Sequence, residues 1–206
     1  MSKSRLEAFT DAVIAIVMTI LILEISTPLT GGVEQLWELR FEFLVYLVSF
    51  LTLAVYWNNH HHIFQAARHV SGAVLWCNIL LLLFLSLIPF STAWVDGFLF
   101  DLAPELFYGA NMLAADIVWL LMTKALVAEN GTHSDIARAL DGSHKSWLSI
   151  GVIVLGLLVG LIAPVATLIS CIISMIPWLI PDRRIEKLVK EIQRDDAPRH
   201  TDEKTN

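Results

Sequence analysis

The sequence predicts an all-α, polytopic membrane protein with six transmembrane helices. Of its 206 residues, 56% are hydrophobic, and the mean hydropathy is +0.64, which is typical of a membrane protein. The apolar residues fall into six nearly uncharged runs, and short polar or Pro- and Gly-bearing segments separate these runs. Lys and Arg are concentrated in alternate connections, as expected when a chain crosses a bilayer repeatedly.

Each predicted span is about long enough to cross the hydrocarbon core, which takes roughly 20 helical residues. The first is ended by Ser26-Thr27-Pro28, and the second finishes in the polar run from Trp57 to His62. The third carries Asn78, and we expect its exit loop to hold Trp94, Asp96 and Asp101. The last two spans form a hairpin at Pro164. The predicted spans cover residues 8–25, 41–59, 73–90, 106–126, 147–163 and 165–180.

These spans make up one predicted unit, residues 1–181, and two further segments follow it. In residues 182–194, apolar side chains recur at i, i+3, i+4 and i+7 among charges, which predicts an amphipathic cytoplasmic helix on the membrane surface or on a neighbouring subunit. Residues 195–206 are polar and are predicted to be disordered. Cys77 and Cys171 lie inside apolar runs, which favours buried hydrophobic roles over a disulfide or zinc site.

The positive charges predict the orientation of the chain. With the N-terminus in the cytoplasm, thirteen of the fourteen Lys and Arg residues lie on that side, and Arg40 is the exception. Both termini are therefore predicted to be cytoplasmic, in a multi-pass protein of the cell (inner) membrane. The outer connections, among which we place Glu105, are acidic. That outer face either concentrates cations at an entrance or is a solvated rim.

The first helix has two different faces when its residues are turned by about 100° each. Ile16, Thr19, Ile20 and Leu23 share one face, and Phe9 continues that face toward the cytoplasm. Asp11 falls near the opposite face. The apolar face by itself is compatible with contact to lipid or to another helix. A carboxylate inside a membrane helix is costly, so Asp11 requires hydrogen-bond donors or a water-filled neighbour.

The cytoplasmic end of the second span lies at the same predicted depth as Asp11 and offers those donors. Trp57 carries an indole N–H, Asn58 an amide, and His60 and His61 carry ring N–H groups. A metal site is the rival interpretation, because imidazole and carboxylate bind several divalent ions. Consecutive helical side chains point about 100° apart and cannot all converge on one ion, so we predict no metal. Sensing of pH by the histidines is a further alternative.

These residues resemble a known family. Arg5-x-x-x-Phe9-Thr10-Asp11 opens the first of six spans, and Trp57-x-x-His60-His61 ends the second. This pattern is similar to the transmembrane protein 175 family of potassium channels in its short prokaryotic form. The family signature has Ser where this chain has Thr10, and both side chains carry a hydroxyl.

The resemblance implies a homotetramer in the membrane lipid, with a central pore for monovalent cations lined by the first helices. It places Ile16, Ile20 and Leu23 at the apolar constriction, with Thr19 beside them. It implies that Arg5, Phe9, Thr10 and Asp11 join the second-helix cluster in hydrogen bonds behind the pore. The function implied is passive, modestly selective potassium permeation without an enzyme activity, a cofactor or a nucleic-acid partner. The sequence contains no Thr-Val-Gly-Tyr-Gly filter.

Other functional classes stay open at this point. A secondary transporter is expected to show internal repeats and a midplane site, for which Asn111 and Asp116 are the deep polar candidates. We interpret Asp116 as a hydrogen-bonded packing residue. An intramembrane enzyme would need a catalytic constellation, for which only the histidine run is available, and a membrane scaffold without transport is the remaining alternative.

Overall fold

The computed structural model describes residues 2–131, 134, 136–137 and 144–179. Within these ranges the regular structure is helical. The longer helices are α1 (Lys3–Leu23), α3 (Arg40–Ala66), α4 (Gly72–Ser86), α6 (Leu102–Asn130), α7 (Lys145–Gly160) and α8 (Ala166–Leu179); α2 (Glu34–Glu38) and α5 (Ile88–Gly97) are shorter. The predicted amphipathic helix at 182–194 and the tail at 195–206 lie outside the described residues.

Four helical segments in the described part of the chain are long and apolar enough to cross a membrane. They are α1, α3, the consecutive pair α4 and α5, and α6. The helices α7 and α8 are apolar but have only 16 and 14 residues. The chain is therefore a membrane protein, and the regular structure of its described residues is helical. That α7 and α8 also cross the membrane stays a prediction.

The connection after the third predicted span is helical, so the prediction of an exit loop at Trp94 and Asp96 is wrong. These residues lie in α5, which follows α4 after the single residue Leu87. Leu87 has helical dihedral angles, φ −83° and ψ −10°. Pro89 stands in the first turn of α5, where its missing N–H costs no helical hydrogen bond. The proline therefore marks a helix start here.

The core places α1 against three other helices. The helix α1 packs on α3, α4 and α5, whereas α6 packs on α4, α5, α7 and α8. Every fourth or third residue of α1 faces this core, which gives a stripe of five buried side chains: Leu6, Thr10, Ile14, Val17 and Leu21. One side of α1 is thus fixed by the subunit, and its other side is uncovered.

The hairpin of α7 and α8 is held by small residues and hydrogen bonds. Gly156 lies so close to α8 that an added Cβ would collide with Ser170. Ser149 donates to the carbonyl of Ser174 at 3.0 Å and accepts from the indole of Trp178 at 2.7 Å. Close backbone approach of this kind is typical of helix pairs in lipid.

Glu105 is fully buried in α6, which corrects its predicted place in an outer connection between spans. Its Oε2 accepts a hydrogen bond from the backbone N–H of Leu168 at 3.0 Å. Leu168 lies in the first turn of α8, where N–H groups lack helical acceptors and an acidic group is favourable. Glu105 therefore ties the start of α8 to α6.

Candidate functional site

The uncovered side of α1 is apolar and nearly continuous. The exposed fractions are 59% for Ile16, 38% for Ile20 and 79% for Leu23. Phe9, at 52%, extends this face by about two turns toward the N-terminus. We call these residues, together with Thr19, the α1 open face. Between Ala12 and Leu23 the helix carries no charged side chain, so this face offers a passing ion no carboxylate.

Thr19 is the polar residue of the α1 open face. Its side chain is exposed, and its hydroxyl donates to the backbone carbonyl of Ile16 at 2.7 Å. The proton of the hydroxyl is therefore used within the helix, and the oxygen lone pairs stay available to an outside donor or cation. The face thus combines apolar side chains at Ile16, Ile20 and Leu23 with one hydroxyl oxygen.

Behind the open face, a buried hydrogen-bond chain joins three helices. The amide Nδ2 of Asn78 in α4 donates to the Thr10 hydroxyl of α1 at 2.8 Å. Nε2 of His60 in α3 donates to Oδ1 of the same amide at 2.9 Å. All three side chains are buried, with exposed fractions of 0% for Thr10 and 1% for His60 and Asn78. A buried polar chain of this kind fixes the relative positions of its helices.

The carboxylate of Asp11 makes a second link between α1 and α3. The indole Nε1 of Trp57 donates to Asp11 Oδ1 at 2.9 Å. The Trp57 ring is stacked on the His61 ring, with centroids 6.0 Å apart and an angle of 16° between the planes. Nε2 of His61 accepts a hydrogen bond from Gln65 at 2.7 Å. Contacts with neighbours on its own helix therefore orient the Trp57 ring toward Asp11.

Not every residue of the predicted cluster enters these two links. Arg5 and Phe9 are exposed, and Asn58 is half-buried on α3. In the described residues none of these three side chains bonds to Thr10 or Asp11. Among those residues, the His, Cys, Asp and Glu side chains form no group of three able to hold a metal ion.

Two residues that the sequence analysis did not assign to the site take part in it. Asn78 bridges Thr10 and His60, and the signal was an amide inside an otherwise apolar helix, which in lipid requires partners. Lys3 donates to the carbonyl of Ala67 at 2.9 Å, at the end of α3. Lysine commonly binds the unpaired carbonyls at a helix C-terminus, but no sequence pattern indicates which helix Lys3 would reach.

The chain is similar to known channels over most of its length. A sequence model described as "Endosomal/lysosomal potassium channel TMEM175" matches residues 5–89. A potassium channel of Chryseobacterium sp. (strain P1-3) is 37% identical over 191 residues, which cover 93% of this chain and 100% of the relative. A potassium channel of Streptomyces collinus (strain DSM 40733 / Tue 365) is 36% identical over 101 residues, covering 47% of this chain and 49% of the relative.

A solved structure has the same fold. It is the crystal structure of a lysosomal potassium-selective channel TMEM175 homolog from Chamaesiphon minutus, which superposes with a TM-score of 0.74 at 27% sequence identity. The superposition covers 86% of this chain and 96% of that one. Residues 5–89, which the family's sequence model matches, include nearly all of α1 and the whole of α3 and α4 up to Ser86. These are the helices that carry the two hydrogen-bonded links.

Proposed function

The chain belongs to the TMEM175 family of potassium channels, and on this premise we propose that it is a potassium channel whose pore is lined by the α1 open face. The observation that carries the pore assignment is the division of α1 into two sides. One side is buried against α3, α4 and α5, and the other leaves Ile16, Ile20 and Leu23 uncovered. Because α3, α4 and α5 hold the buried side of α1 in place, its uncovered side chains can line a path between subunits.

The α1 open face favours a pore that is narrowed by apolar side chains. A ring of Ile16 residues provides no oxygen ligand. A passing ion must therefore keep most of its hydration water, or its desolvation costs several kcal/mol of free energy. Such a constriction can gate by dewetting. The desolvation cost is smaller for weakly hydrated cations, and potassium is more weakly hydrated than sodium. We therefore propose modest selectivity for potassium over sodium. This mechanism needs no cofactor and no catalytic residue.

The pore requires several copies of the chain. A single α1 presents one strip of side chains and cannot enclose a path, so several copies are needed. We propose that there are four, a homotetramer with the open faces turned to a common axis; the number four rests on the family resemblance. Thirteen of the fourteen Lys and Arg residues lie on the N-terminal side of the proposed topology, which supports cytoplasmic termini in the cell membrane. Membrane lipid would then cover the outer surfaces of α6, α7 and α8.

Reconstitution of the purified protein tests the channel proposal. Liposomes loaded with potassium and diluted into low-potassium buffer should take up protons through an added protonophore, which a pH-sensitive dye reports as quenching. We expect faster quenching with potassium inside than with sodium inside, and none in protein-free liposomes. The absence of flux under either gradient, from monodisperse oligomer, would contradict the proposal and favour a scaffold. Flux that requires a second, co-transported solute would favour a secondary transporter.

A further inference from the structure

A partly open cavity lies between α3, α6, α7 and α8. Its volume is about 40 Å³, and no residue of α1, α4 or α5 lines it in the described structure. The cavity is therefore separate from the α1 open face and from the Thr10 and Asp11 links. One water needs roughly 10–15 Å³ of such space, so this cavity accommodates about three or four non-hydrogen atoms.

The cavity wall contains one carboxylate. Oδ1 of Asp116 accepts a hydrogen bond from the Tyr56 hydroxyl at 2.5 Å, and both side chains line the cavity. Asn59 also lines it and uses its Nδ2 group to donate to the carbonyls of Val55 and Trp178, at 2.8 and 3.4 Å. The Asn59 oxygen is then a second acceptor on the same wall. One tyrosine hydroxyl does not neutralise a carboxylate in a membrane helix, which leaves Asp116 suited to a cation.

Three aromatic rings form the other walls. The Tyr56 and Trp119 rings lie 6.0 Å apart at 72°, and the Trp119 and Trp178 rings lie 6.0 Å apart at 88°. Rings set at right angles enclose a corner, and aromatic faces attract organic cations. A cation of the chain itself already lies near one of these rings, because the Lys145 ammonium is 5.9 Å from the Trp178 centroid.

We propose that this cavity binds a small alkylammonium ion, with the ammonium group at Asp116 and the alkyl group between Tyr56, Trp119 and Trp178. The chemistry favours this ligand over a metal ion, because metal ions such as Ca²⁺ or Mg²⁺ need about six oxygen ligands and the walls are mostly apolar. The cavity is too small for a drug-sized ligand. The proposal does not depend on the α1 pore, since no residue is shared between the two sites.

Thermal unfolding of the purified protein in detergent tests the proposal, with ethylammonium chloride as the probe at constant ionic strength. We expect the Tm to rise with the logarithm of the ethylammonium concentration once that concentration exceeds the dissociation constant. Ethanol, its neutral isostere, and tetraethylammonium, which is too large, should give no such rise. A rise with ethanol equal to that with ethylammonium, or no rise with ethylammonium, would overturn the proposal.

Matched variants locate the site. Asp116→Asn should raise the ethylammonium concentration needed for a given rise in Tm at least tenfold, whereas Asp101→Asn, at the exposed N-cap that precedes the same helix, should leave it unchanged. Ile16→Asn should also leave it unchanged, which separates this site from the open face. If Asp116→Asn does not fold, Val55→Phe keeps the carboxylate and fills the cavity, and the response should disappear. An undiminished response in Val55→Phe or in Asp116→Asn would overturn the proposal.

Discussion

Thr10 illustrates how one side chain positions a helix. Its hydroxyl is fully buried and accepts a hydrogen bond from Asn78, which in turn accepts one from His60. Removing the acceptor would leave a buried amide N–H unpaired, and an unpaired buried donor costs about 1–3 kcal/mol. The position of the α1 open face depends on this small group because α4 contacts α1 on its buried side.

Thr10→Val should lower the thermal stability of the protein. Valine has nearly the shape of threonine but accepts no hydrogen bond, so we expect a loss of about 1–3 kcal/mol in the free energy of unfolding. Thr10→Ser keeps the hydroxyl and should be closer to wild type. The matched control is Thr19→Val, whose hydroxyl is exposed and bonds within its own helix. Equal stability of Thr10→Val and Thr19→Val, from detergent unfolding curves, would contradict this role of Thr10.

Asp11→Ala should reduce the yield of assembled oligomer more than it changes ion selectivity. The substitution removes the acceptor of the Trp57 indole, and Trp57→Phe, which keeps a ring beside His61, should reproduce part of the effect. Glu7→Ala removes a carboxylate one turn earlier on α1 and serves as the control. Light scattering during size-exclusion chromatography measures the oligomer fraction. Normal oligomers of Asp11→Ala with altered selectivity alone would refute the prediction.

The sequence predicts that Asp11 and the polar end of α3 lie at one depth, because both adjoin the predicted cytoplasmic ends of apolar runs. It does not select Trp57 among the neighbouring donors, since that choice depends on the rotation of α3 about its axis. Asn78 could be recognised only as an amide in need of a partner. Its contact with Thr10 joins residues 68 positions apart in the chain, which no local pattern encodes.

At the scale of elements, helix boundaries depend on context that composition does not supply. The third span is predicted to end at residue 90, yet Pro89 stands in the first turn of α5, and the helical dihedral angles of Leu87 join that helix to α4. The apolar runs themselves can be recognised, since each of α1, α3, α4 and α6 overlaps one of them. The lengths of α7 and α8 fall below a full span, and glycine spacing shows only that they approach closely.

Gly156→Ala should destabilise the α7–α8 hairpin. The added Cβ would collide with the Ser170 side chain, and overpacking of this kind costs about 1–3 kcal/mol. Gly151→Ala is the matched control on the same helix, because its Cβ would meet nothing within 4 Å. The control should be neutral or up to about 1 kcal/mol more stable, since alanine favours the helix. Unfolding curves in mixed detergent compare the stabilities of Gly156→Ala and Gly151→Ala. Equal stabilities would contradict the prediction, because α7 and α8 could then move apart without cost.

At the scale of the whole molecule, a single subunit does not enclose the proposed conduction path. It buries one side of α1 and leaves Ile16 and Leu23 exposed, so the proposed pore exists only between subunits. The hydrogen-bonded links join α1 to α3 and α4, and they would hold α1 in place if the proposed constriction forms. Helical periodicity in the sequence predicts the α1 open face. The proposed number of four subunits comes from the family resemblance and not from any pattern in the sequence.

The most direct test of the pore assignment compares Ile16→Asn with Ile173→Asn in the same liposome flux assay. Both replace an exposed isoleucine by asparagine, with exposed fractions of 59% at Ile16 and 49% at Ile173, and α8 does not pack against α1. We expect Ile16→Asn to hydrate the constriction and raise sodium flux relative to potassium severalfold, and Ile173→Asn to leave the ratio unchanged. A ratio unchanged in Ile16→Asn, or changed equally in both variants, would contradict a pore lined by the α1 open face.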